Sequence, residues 1–186
     1  MTGNEAVAAL IGELEALGIA YMVTGSFASN VHGVPRSTKD ADFILEAPTG
    51  QIDRLLDSLH PPLKPDPQML LETVTSSRRW IVRLARSPFV IELFLLDNHG
   101  FDRSRFDRRV RREVLPGVEA WLPMAEDVIV QKLRWSVLAK RPKDFGDACK
   151  VIQVQASQLD WPYIEKWCAE FDASTVLAEA REIAEG

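Results

Sequence analysis

The sequence predicts an α/β (α+β) chain with a mixed α/β half to about residue 122 and a helical half after it. Three observations predict this. Short apolar strands alternate with amphipathic helices up to residue 122. From Met124 onward the apolar residues recur only at helical spacing. Finally, 186 residues with 46% hydrophobic and 26% charged side chains have an ordinary globular composition, which excludes wholesale disorder. The expected division is 1–122 for the first part and 123–186 for the second.

Residues 3–17 read as a helix, because Val7, Leu10, Ile11, Leu14 and Leu17 share a face. Thr2 and Glu5 have capping-box spacing, and Gly18 is a helix stop. Ile19 to Val23 is a short apolar strand, Thr24-Gly25-Ser26 a turn and Phe27 to His32 a short helix ended by Gly33-Val34-Pro35. Ala41 to Glu46 is a second strand. Thr49 is expected to cap a third helix carrying Ile52, Leu55, Leu56 and Leu59 on one face. Residues 60–68, with four of the eleven prolines, predict a loop. Trp80 to Arg86 and Phe89 to Leu96 read as strands joined at Ser87-Pro88. The stretch 101–112 is ambiguous, and Arg109–Leu115 with Val118–Leu122 reads as a hairpin split by Pro116-Gly117. Helices follow over 124–140, from Pro142, over 161–171 and over 174–184.

Charge and cysteine content narrow the function classes. The net charge is −5, yet residues 78–112 hold ten arginines against four acids, a local +6 on an otherwise acidic chain. That segment is either a solvated face or a surface for a polyanion such as tRNA, received through the Arg103–Arg112 cluster. Two cysteines, Cys149 and Cys168, exclude a secreted disulfide scaffold and fit a reducing cytoplasm. Glu5, Glu13 and Glu15 interrupt the N-terminal apolar positions, which argues against a signal peptide. The longest uncharged run, Ala16 to Pro35, is too polar for a membrane span, so no membrane partner is expected. No zinc-ligand spacing surrounds His32, His60 or His99. Core packing is the default for the five tryptophans.

The chemistry concentrates between Val23 and Leu45. A strand ends at Gly25-Ser26 and a helix begins. Gly25 lets a ligand approach the backbone, and Ser26 sits either as a plain helix cap or where free N–H groups attract phosphate. Asp40 and Asp42 alternate along a strand and so share a face. Two such carboxylates are either a water-facing strand end or a site where cations relieve their repulsion, and two Mg²⁺ ions are hard partners for them. Glu92 interrupts the apolar run Val-Ile-Glu-Leu-Phe-Leu-Leu. A carboxylate there needs a partner. The candidates are an arginine of the 78–86 strand or a metal shared with Asp40 and Asp42.

Strand, Gly-Ser, short helix, Gly-x-x-Arg-x-Thr-x-Asp-x-Asp and a later strand carboxylate together resemble the nucleotidyltransferase superfamily (DNA polymerase β-like). The sequence is most similar to its small bacterial AbiEii-like and toxin–antitoxin members. The likeness covers about residues 19–97, with an echo to about 154 in Met124-Ala-Glu-Asp-Val-Ile-Val-Gln-Lys-Leu and Arg141-Pro-Lys-Asp-Phe-Gly-Asp147. It implies a mixed β-sheet flanked by helices and transfer of a nucleoside monophosphate from an NTP to a hydroxyl acceptor. It also implies that Asp40, Asp42 and Glu92 bind two Mg²⁺ ions and serve catalysis. Gly25 and Ser26 would hold the β/γ-phosphates. The family's third carboxylate is usually Asp, and Glu92 is one methylene longer.

Lys132 matches the family's helix lysine, and its other reading is a snorkelling surface lysine. Arg36 and Thr38 flank the loop before the aspartates, where Arg36 either neutralises phosphate or pairs with an aspartate. Asp144 and Asp147 either position Lys132 or an acceptor, or form an exposed acidic helix start. The acceptors this resemblance implies are tRNA or a partner protein, with a cognate toxin or antitoxin as a further partner. Its alternatives are an antibiotic-modifying transferase and a catalytically silent NTP-binding or partner-binding module.

Overall fold

The computed structural model describes residues 1–71 and 78–185. The chain forms two compact units: residues 1–27 with 37–122, and residues 28–36 with 123–186. The sequence placed residues 28–36 in the first part.

In the first unit, α1 (Gly3–Ala16) is opened by Thr2, whose side chain accepts from Glu5 N–H while Glu5 reaches back to Thr2 N–H. β1 (Ala20–Thr24) and β2 (Asp40–Glu46) pair antiparallel, and β2 pairs parallel with β6 (Val90–Leu95). β6 runs antiparallel to β5 (Arg78–Leu84), which also pairs with β3 (Leu63–Pro65) and with the two residues of β4 (Leu70–Leu71). The sheet order is therefore β1-β2-β6-β5-β3, with β4 also on β5.

One face of this mixed sheet is apolar and buried: Tyr21, Val23, Ala41, Phe43, Leu45, Trp80, Val82, Ile91 and Leu93. Val7, Leu10, Ile11 and Leu14 of α1 and Ile52 and Leu55 of α3 (Thr49–Ser58) are buried in the same unit. On the opposite face, Met22 and Ile44 pack with Phe106 of α4 (Gly100–Asp107), and Phe94 borders them. The hairpin β7 (Val110–Leu115) and β8 (Val118–Leu122) forms a second, two-stranded sheet.

Several expectations shift. Thr49 is the first residue of α3 rather than its cap; Pro48 precedes it and supplies no side-chain bond. The proline-rich stretch contains β3, because a strand needs only its alternate groups to pair and Leu63 and Pro65 sit on a sheet edge. The ambiguous stretch 101–112 resolves into α4, capped by His99, and the start of β7.

In the second unit, α5 (Ala125–Leu138), α6 (Pro142–Gln155), α7 (Trp161–Glu170) and α8 (Ser174–Glu185) pack on one another. Residues 28–36 belong here, although Gly25 to Phe27 at the start of the same helix, α2 (Gly25–His32), belong to the first unit. His32 Nε2 bonds the Pro123 carbonyl at 2.8 Å, and Gln155 donates to the His32 carbonyl at 2.9 Å.

Candidate active site

The sheet places the three sequence-predicted carboxylates on one face. Asp42 lies abreast of Glu92 on the parallel neighbour β6 and of Thr24 on β1. Neighbouring strands are about 4.8 Å apart, so Asp42 and Glu92 are adjacent. Asp40, two residues earlier, lies on the same face opposite Val90. The next row in the other direction, Met22, Ile44 and Phe94, is apolar and packs against Phe106. The carboxylates thus occupy the half-buried end of a face whose other end is core.

Gly25 meets Asp42 directly. Its φ is +60°, and an added Cβ would lie 1.9 Å from Asp42 Oδ2. The position therefore requires glycine twice, for its left-handed backbone and for the space the carboxylate fills. Ser26 follows, buried at the start of α2. Thr38 Oγ1 donates to Asp40 Oδ1 at 2.5 Å, which orients that carboxylate.

Glu92 is partnered by Arg79. The guanidinium Nη1 donates to Glu92 Oε1 at 3.1 Å, and both side chains are about a quarter exposed, 26% and 22%. Ile81 lies opposite Glu92, so Arg79 is the diagonal neighbour on the same face. An arginine of this strand was one of the two partners open to Glu92 from sequence. The turn at Ser87-Pro88 is the signal that selects Arg79, because it fixes which residues of the two strands face each other.

Arg36 and Lys132 belong to the second unit and are bound within it. Lys132 is buried and donates to Asp144 Oδ1 at 2.8 Å and to Asp147 Oδ2 at 2.9 Å. Arg36 holds Asp147 with two bonds, Nε to Oδ1 at 2.8 Å and Nη2 to Oδ2 at 2.7 Å. Burial pushes the Asp147 carboxyl up, but hydrogen bonds and charge from Arg36 and Lys132 outweigh it and bring it down to about 2. Lys132 is thus no snorkelling surface residue. Asp144 and Asp147 are no exposed acidic helix start either: each is about 5% exposed.

The 103–112 arginines are largely engaged by their own unit. Arg103 pairs with Glu46, and Arg105 is buried against Asp102 at 2.6 Å. Arg109 stacks on Phe106 with its guanidinium 4.0 Å from the ring centroid, and Arg111 pairs with Glu15 at 3.1 Å. Arg103, Arg105, Arg109 and Arg111 thus make local ion pairs and ring contacts.

The donor set suits a hard divalent ion: three carboxylates on one face, and a glycine where any Cβ would fill the space beside Asp42. With Glu92 on Arg79 and Asp40 on Thr38, no group of three His, Cys, Asp or Glu among the described residues is gathered closely enough to hold a metal as it stands.

The mixed sheet, its flanking helices and the C-terminal helices constitute a nucleotidyltransferase-like fold. No family model matches the sequence, and no curated protein matches it. Solved structures do. The antibiotic-resistance factor ANT(2″)-Ia in solution aligns over 96% of this chain and 97% of its own, with a TM-score of 0.58 at 12% identity. An antigenic nucleotidyltransferase-like protein from Paracoccidioides brasiliensis aligns over 97% and 92%, with a TM-score of 0.59 at 17% identity. ANT(2″)-Ia in complex with adenylyl-2″-tobramycin gives 0.59 over 92% and 97%, at 10% identity. The likeness at these identities is one of fold.

Proposed function

We propose that this protein is a Mg²⁺-dependent nucleotidyltransferase that moves a nucleoside monophosphate from an NTP to a hydroxyl acceptor. The observation that supports this most is Asp42 lying abreast of Glu92 and against Gly25, with Asp40 on the same face. The acceptor oxygen attacks the α-phosphorus. The bond from that phosphorus to the oxygen bridging to the β-phosphorus breaks, pyrophosphate leaves, and the hydroxyl proton passes to a carboxylate of the site or to water. Mg²⁺ held by Asp40, Asp42 and Glu92 would supply charge stabilisation to the attacking and leaving oxygens.

Gly25 and Ser26 offer the triphosphate a close approach to backbone N–H groups at the start of α2. Thr38 keeps Asp40 oriented. Asp144 and Asp147 fix Lys132 and Arg36, so a phosphate bound through either cation would share it with an aspartate. A hydroxyl of tRNA or of a partner protein, in a toxin–antitoxin or defence setting, is the acceptor that the sequence resemblance favours. The antibiotic alternative has its counterpart in ANT(2″)-Ia.

A second reading, a catalytically silent nucleotide-binding or partner-binding module, is favoured by the Arg79–Glu92 pair, which occupies the third carboxylate. One experiment separates the two. The protein is incubated with each α-labelled NTP, Mg²⁺ and either total tRNA or cell lysate, beside Asp42→Ala. Transfer by the wild type and its loss in Asp42→Ala is the expected result. Transfer that survives in Asp42→Ala overturns the mechanism, and NTP binding without transfer in any condition selects the silent module.

A further inference from the structure

We infer that the cleft beside the β5–β6 turn is a subsite for an acceptor that carries phosphate, which rests on the nucleotidyltransferase reading above. The row of the sheet that begins at Asp40 continues to Val90 on β6, Arg83 on β5 and Lys64 on β3. All four lie on the carboxylate face, because paired residues of adjacent strands point the same way. Lys64 and Arg83 are exposed, and Val90 is half-buried.

These residues line an open cleft of about 430 Å³, completed by the turn Ala85 to Pro88. That volume lies in the range of small-molecule sites, about 300–1,000 Å³. Arg86 adds a third cation from the turn. Among the described residues, the acid paired at this end is Asp66, which meets Arg83 at 3.3 Å across an exposed contact that a ligand can replace at little cost. Three cations against one carboxylate leave the cleft positive. Strand spacing puts Arg83 roughly 10 Å and Lys64 roughly 14 Å from Asp40 along the row. A molecule anchored there by phosphate can bring a neighbouring hydroxyl to the carboxylates.

The sign of this cleft discriminates between acceptor classes. A phosphate ester is drawn to Lys64, Arg83 and Arg86, whereas an aminoglycoside, itself polycationic, is repelled. The phosphate can belong to a nucleic-acid strand with a 3′-hydroxyl or to a small phosphorylated sugar, and two probes distinguish these.

The test uses the full chain, with a 5′-fluorescein 12-nucleotide single-stranded RNA followed by anisotropy, and with ribose 5-phosphate and tobramycin as competitors. The variants are Lys64→Glu with Arg86→Glu, and the milder Lys64→Gln with Arg86→Gln. Both positions are exposed, and thermal melts check that the variants fold. The charge reversal should weaken RNA binding at least ten-fold. Loss of two phosphate contacts should also make the log–log salt slope shallower by about 1.4. Displacement of the RNA by ribose 5-phosphate assigns a single-phosphate pocket, and its failure to displace assigns a strand. RNA and ribose 5-phosphate binding both indifferent to the reversal, or tobramycin bound while both anions are ignored, overturns the subsite. Mg·ATP binding is measured on the same samples. Retained ATP binding with an indifferent reversal removes the subsite alone, whereas a wild type that binds RNA through the cleft but no ATP removes the nucleotidyltransferase reading instead.

Discussion

Gly25 is the residue on which the site's geometry turns. A side chain there meets Asp42 Oδ2 and must adopt a φ of +60°. Gly25→Ala should cost about 1–3 kcal/mol in backbone strain alone, read as a lower denaturant midpoint. Mg·ATP binding should fall with it, because Asp42 must swing away. Stability equal to wild type would show that the turn relaxes freely. Arg79 calls for the opposite experiment. If Glu92 is a metal ligand, its pair with Arg79 competes with the ion, and Arg79→Gln should tighten Mn²⁺ binding, followed by electron paramagnetic resonance. A partly exposed pair is worth up to about 1 kcal/mol, so the gain should be a few-fold. Unchanged affinity would take Glu92 out of the ligand set.

The elements explain what the sequence revealed and what it hid. Asp40 and Asp42 were legible because strand alternation is local, and α1, with its capping box, was legible for the same reason. Arg79 as the partner of Glu92 follows only once the turn at Ser87-Pro88 is converted into a strand register. The set of half-buried Arg36 and buried Lys132, Asp144 and Asp147 joins three segments. From sequence, Asp144 and Asp147 positioning Lys132 and Arg36 pairing with an aspartate are open alternatives, and the packing of α5 on α6 selects them. The partners of the arginines in 103–112 are equally non-local, since charge counts do not show that Glu46 and Glu15 pair with Arg103 and Arg111. The α5–α6 set makes a pH prediction. Asp147 is held at about 2 in the folded protein, below the usual 3.8. The unfolded chain therefore binds the proton more readily in acid. This contribution is complete above pH 4–5 and fades as pH falls through 2. Stability should drop by about 2 kcal/mol over that interval through this group, and Asp147→Asn should flatten the curve in acid titrations of the unfolding midpoint.

At the scale of the whole molecule, both thiols are free and sit in the helical unit, Cys149 on α6 and Cys168 on α7. Burial pushes the Cys168 thiol up to about 12, so it is protonated and unreactive at neutral pH. A chromogenic disulfide reagent at pH 8 should leave Cys168 unmodified in the native protein and titrate it once denaturant opens the fold. Rapid native modification of Cys168 would mean that α7 opens locally. No helix among the described residues is long and apolar enough to cross a membrane.

The second unit is assembled from two stretches far apart in the chain, and this has a consequence for biosynthesis. Arg36 emerges from the ribosome 111 residues before Asp147, and His32 precedes Gln155, its donor, by 123. Until the residues from Pro123 onward have been made, residues 28–36 lack the rest of their unit. Residues 28–36 are thus translated early but joined to their own unit late, and a chain cut short near residue 122 would carry them without the rest of that unit.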